Sequence, residues 1–111
     1  MALLDAPDGF TLDLPAGTRL IRRLGDHADV VLFFTTERAT FERRLAAMAD
    51  AIRPAGGLWV AWPKKASKVP TDMTEDVVRE VALPMGVVDN KVCAIDDIWS
   101  GLRLVWRLDR R

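Results

Sequence analysis

The chain has 111 residues, half of them hydrophobic, with sixteen basic and sixteen acidic side chains in balance. Its length suits one α/β domain over 1–111 and excludes a complete dinucleotide-binding fold joined to a substrate domain. Zero net charge leaves no overall field for nucleic acid or an anionic membrane surface. The longest apolar runs, such as Val30 to Phe34, fall far below the roughly 20 residues of a membrane span. A single cysteine, Cys93, excludes an internal disulfide and a cysteine metal cluster. Met1 to Asp5 lacks the basic flank and long apolar core of a signal peptide, so a cytoplasmic setting is expected.

In chain order, Met1 to Leu4 reads as a short strand broken by the turn residues Asp5 to Gly9. Thr18 to Arg23 is a second candidate strand. The Pro7, Gly9, Pro15 and Gly17 between them leave no room for an ordinary crossover helix. Val30 to Phe34 is β-branched and aromatic on both faces, the pattern of a central strand covered on both sides. Thr35 or Thr36 is expected to cap the helix that follows, in which Phe41, Leu45, Met48, Ala49 and Ile52 form one apolar stripe. Pro54 and Gly56 end that helix ahead of a strand over Leu58 to Trp62, giving a βαβ unit.

Thr71 or Asp72 is expected to cap a second helix, with Glu75 and Asp76 in its first turn and Val77, Val78, Val81 and Ala82 on its apolar side. Pro84 and Gly86 stop it. A strand over Lys91 to Ile95, a turn over Asp96 to Gly101 and a strand over Leu102 to Leu108 then form an antiparallel hairpin. The fold class expected is α/β with three layers, a mixed and mostly parallel sheet, and this hairpin at the C-terminal end.

Two adjacent parallel strands with a crossover helix, a further helix and a terminal hairpin resemble the second half of the class I, S-adenosylmethionine-dependent methyltransferase fold, a truncated Rossmann-like arrangement. More closely, Gly56 to Ser67, Thr74 to Glu80, Val88 to Asp96 and Trp99 to Arg103 resemble an uncharacterised family of short bacterial proteins, a domain of unknown function. That resemblance covers nearly the whole chain and implies a fold and no activity. Members of the family are slightly longer at the N-terminus and carry asparagine where this chain has Asp5.

The methyltransferase resemblance implies a glycine-rich turn after the first strand and an acid ending the second. This chain offers Asp5 to Phe10, with Gly9 alone, and Arg22 and Arg23 where the acid would stand. The expectation is a degenerate relative with no cofactor, and the alternative is a small methyl- or group-transferase.

Ligands of an open α/β sheet meet the carboxyl ends of its strands. There Lys64, Lys65 and Ser67 are candidate ligands for a small anion, with Thr35, Thr36 and Asp5 at the neighbouring strand ends. A competing expectation pairs the lysines with Asp72, Glu75 and Asp76. Trp99 is either a lid over the core or an interaction residue, and a homodimer through an exposed sheet edge is a further expectation. No catalytic residue and no metal site are expected: His27 lies in a polar connection without a nucleophile partner, Cys93 reads as a buried inert thiol, and Asp96 with Asp97 lacks a third ligand.

Overall fold

The computed structural model describes residues 1–10, 16–17 and 20–111. It contains strands β1 (Ala2–Leu4), β2 (Val30–Phe34), β3 (Gly57–Pro63), β4 (Val87–Ala94) and β5 (Trp99–Trp106), and helices α1 (Arg38–Ala51) and α2 (Glu75–Ala82). They form one five-stranded sheet in the order β1-β2-β3-β5-β4. β1, β2 and β3 are mutually parallel, and β5 runs antiparallel between β3 and β4. The sheet is therefore mixed, and the terminal hairpin is present. Among the described residues, no helix is long and apolar enough to cross a membrane.

The alternation of side chains along each strand explains the two faces. Val31 and Phe33 of β2, Leu58, Val60 and Trp62 of β3, and Leu102, Leu104 and Trp106 of β5 point to one side. There they meet Phe41, Leu45 and Met48 of α1, Ile52 at its C-cap, and Val78 and Ala82 of α2. Full burial of such side chains contributes about 1.5–3 kcal/mol each, so this face dominates stability. The alternate residues Leu32, Phe34 and Ala61 form a smaller cluster with Leu3 on the opposite side. There the third layer is coil rather than helix among the described residues, with Ala6, Phe10 and Leu20 packed on it. β2 is buried on both faces, as its unbroken apolar run requires.

Several local expectations are corrected. Neither Thr35 nor Thr36 caps α1, whose N-cap is Glu37. The first helical N–H, on Arg38, instead donates to Asp72 Oδ1 at 2.7 Å. Thr71 and Asp72 do not cap α2 either. Thr74 does, its hydroxyl accepting from the Val77 N–H at 3.1 Å. β4 starts earlier than Lys91, and Trp99 to Gly101 belong to β5 rather than to a turn. The turn is shorter because Asp96 Oδ1 accepts from the N–H groups of both Ile98 and Trp99 at 2.8 Å. Leu108, expected on the covered face of the last strand, lies beyond it and is exposed. Of the candidate strand over Thr18 to Arg23, Thr18 and Arg19 lie outside the described residues, and Ile21 makes a single parallel bridge to Ala2.

Candidate functional site

Because β1, β2 and β3 are parallel, their carboxyl ends open on one rim. The register aligns Leu32 with Trp59 and Phe34 with Ala61, so Asp5, Thr35, Thr36 and Lys64 leave the sheet on the same side. Trp99 reaches this rim from the opposite direction, paired with Pro63.

Their side chains nevertheless diverge. Asp5, at φ +56°, accepts from Arg44 Nη1 of α1 at 2.8 Å. Thr35 is buried and its hydroxyl accepts from the Glu37 N–H at 3.1 Å. The Thr36 carbonyl accepts from the Thr71 hydroxyl at 2.6 Å, which ties the loop after β3 to the loop after β2. Lys64 donates through its backbone N–H to the Ile98 carbonyl at 2.7 Å and through Nζ to the Asp96 carbonyl at 2.5 Å, stapling the end of β3 to the β4–β5 turn. Ser67 Oγ donates to the Lys64 carbonyl at 2.6 Å and closes the single helical turn Lys65–Ser67. Four of the six candidate residues, Lys64, Ser67, Thr35 and Asp5, thus have side chains engaged within the chain.

Lys65 stands apart. It is exposed, and its ammonium makes no hydrogen bond or ion pair among the described residues. The expected lysine–acid pairing is not formed: Asp72 is taken by the Arg38 backbone, while Glu75 and Asp76 face Arg79 at 2.8 and 3.5 Å. Hydrogen bonds that Arg79 donates to Glu75 and Asp89 hold its guanidinium above its ordinary pKa, and those that Arg38 donates to Glu42 and Glu80 do the same for Arg38. These arginines keep the acids of α2 occupied.

Lys65 lines a recess of about 310 Å³ between the end of β3 and the start of α2, together with Trp62, Pro63, Thr71, Met73 and Glu75. Trp62 and Met73 are buried and give an apolar floor. The ammonium of Lys65 and the carboxylate of Glu75 stand at its polar border. The recess can take an apolar group carrying one anionic end toward Lys65. Trp62 and Met73 were not singled out in the sequence, and Thr74 was missed in favour of Thr71 and Asp72, although its position directly before two acids is a cap signal.

On the other side of the sheet the rim is closed by aromatic rings. Phe10 meets Phe34 edge-on with centroids 4.8 Å apart, and Phe34 meets Trp99 likewise at 5.1 Å. Trp99 therefore covers the second apolar cluster, at a distance from Trp62. Asp5 is turned onto Arg44 and Phe10 lies over Phe34, so the described part of the turn after β1 does not present the glycine-rich backbone that the methyltransferase resemblance implies. His27 is exposed and its ring faces the Asp29 carboxylate at 3.2 Å, beyond the opposite end of β2. Cys93 is half-buried rather than buried, since β4 is an edge strand. Among the described residues, no group of three metal-ligating side chains is assembled.

No family model and no curated protein matches the chain. Solved structures do. The magnesium protoporphyrin IX methyltransferase from Synechocystis PCC 6803 with bound SAH aligns at 12% identity and TM-score 0.59, over 79% of this chain and 50% of that one. The same enzyme with bound SAM aligns at 12% identity and TM-score 0.60, over 79% of this chain and 45% of that one. The chain thus spans about half the length of these structures, and at this identity the likeness shows the fold alone, which is methyltransferase-like.

Proposed function

We propose that the chain is a non-catalytic binding module on a degenerate methyltransferase-like fold, one of the short bacterial proteins whose motifs it resembles. Its ligand is a small anion with an apolar body, held in the recess beside Lys65. The observation that carries this reading is the contrast between the two neighbouring lysines. Lys64 is bound to the Asp96 carbonyl, whereas Lys65 borders an apolar recess and has no partner among the described residues. An unpaired cation beside a concave apolar surface is the usual composition of a small-ligand site.

A thermal-shift panel of aromatic and aliphatic carboxylates, phosphates and sulfonates tests it. Stabilisation by a member of the panel is expected to vanish in Lys65→Ala and to persist in Lys64→Ala, whose baseline stability falls with the loss of its staple. Equal stabilisation of wild type and Lys65→Ala would eliminate the recess as the site.

The likeness to methyltransferases with bound SAH and SAM favours a second reading, a small group-transfer enzyme. It requires saturable binding of S-adenosylmethionine that is lost when Asp5 is substituted.

A further inference from the structure

The face of the sheet that carries no helix among the described residues has a chemistry of its own. Strand register places Val30, Leu32, Trp59, Gly101, Arg103, Lys91 and Cys93 on that side, because each pairs with or alternates from residues of the second apolar cluster. An open groove of about 310 Å³ runs along it, lined by Val30, Leu32, Trp59, Cys93 and Ile95. Two cations share this side of the sheet next to the lining residues Trp59 and Cys93. Lys91 and Arg103 are register partners on β4 and β5, and Arg103 is in turn the partner of Trp59 on β3. The Arg103 guanidinium lies flat against the sheet over Gly57, so close that a methyl group at Gly57 would sit 2.6 Å from its Nε. Neither the Lys91 nor the Arg103 side chain makes a hydrogen bond or ion pair among the described residues. The groove-facing positions of β2, β3, β5 and β4 beyond its bulge hold no carboxylate.

We propose that this face docks an acidic amphipathic helix of a partner protein, its apolar stripe in the groove and its carboxylates against Lys91 and Arg103. Parallel strands are ordinarily covered on both faces, yet Val30 and Trp59 of the parallel strands β2 and β3 stay part-exposed on this side. The groove crosses four strands, β2 to β4, or roughly 14 Å at ordinary strand spacing. About ten helical residues span that distance. Apolar lining flanked by unpaired cations selects a partner of opposite charge rather than another apolar surface. The site is separate from the recess at Lys65, which lies against the helix-bearing face.

The test is fluorescence anisotropy with a labelled amphipathic peptide of about three helical turns, leucine on one face and glutamate on the other, titrated with the full chain. Its lysine counterpart, a labelled oligothymidylate and sedimentation equilibrium of the protein alone serve as comparisons. The glutamate peptide should bind, weaken with salt, and perturb the Trp59 indole resonance. Arg103→Glu with Lys91→Glu should weaken it by at least about tenfold and confer binding of the lysine peptide. The milder pair Arg103→Gln and Lys91→Gln, checked by thermal melting, guards against misfolding and should show the loss without the reversal. Equal binding of the two peptides or of neither, tighter binding of the oligothymidylate, or a dimer that buries Trp59 would each overturn the proposal.

Discussion

The carboxylate of Asp72 accepts a hydrogen bond at 2.7 Å from the backbone N–H of Arg38, so the loop after β3 caps the helix that follows β2. Thr71, the preceding residue, donates to the Thr36 carbonyl at 2.6 Å. Two adjacent side chains thereby lace together the loops that leave two parallel strands, and negative charge is set at the start of α1, where the helix has no acid of its own in its first turn. This lacing shapes the wall of the recess that Thr71 lines.

Removing the remote cap should therefore behave like removing a local one. Asp72→Ala is expected to lower stability by about 1 kcal/mol in urea denaturation, and Asp72→Asn to retain most of it, since an amide oxygen can still accept from the Arg38 N–H. Hydrogen exchange at Arg38 and its neighbours should quicken in the alanine variant alone.

The neighbouring glycines at the start of β3 should respond unequally. A methyl group at Gly56 would lie 2.8 Å from the Asp29 carbonyl oxygen and 2.9 Å from that of Ile52, both fixed backbone atoms. At Gly57 it would meet the guanidinium of Arg103, the movable end of a long side chain. Gly56→Ala is expected to cost about 1–3 kcal/mol, and Gly57→Ala distinctly less, by chemical denaturation.

Trp106 joins the last strand to α1. Its Nε1 donates to the Ala49 carbonyl at 2.7 Å, and the Arg53 guanidinium carbon stands 3.7 Å from the ring centroid. Trp106→Ala should destabilise by about 3–5 kcal/mol, the range for a buried aromatic. Trp106→Phe keeps a ring for Arg53 but loses the donor, and about 1–3 kcal/mol is expected. Arg53→Ala should cost about 0.5–1 kcal/mol in the wild type and less in Trp106→Ala, because the pair loses one member. A double-mutant cycle reads all three.

Much of the fold was legible because it rests on periodicity. The unbroken run Val30 to Phe34 could only be a strand covered on both sides, and the spacing of Phe41, Leu45 and Met48 could only present one helical stripe. Helix caps were not legible, because Asp72 serves a helix that begins 34 residues earlier, and no local pattern encodes such a partner. The rim was placed correctly by strand direction, but the fate of its side chains was not. Lys64 looks like Lys65 in sequence, and only the fold brings the Asp96 carbonyl to the first ammonium and leaves the second without a partner among the described residues. Cys93 read as buried because its neighbours are apolar; that β4 ends the sheet, with β5 inserted beside β3, is a property of topology rather than of the strand.

The central claim is that the rim after β1 has lost the geometry of a cofactor turn and that ligand binding has moved to the recess at Lys65. Two-dimensional amide NMR of the full chain titrated with S-adenosylhomocysteine tests it most directly. The account predicts no saturable shift at Asp5 to Phe10, whereas a carboxylate or phosphate that stabilises the protein should move Lys65, Thr71 and Met73. Saturable shifts of Asp5, Gly9 and Phe10 with S-adenosylhomocysteine would contradict it.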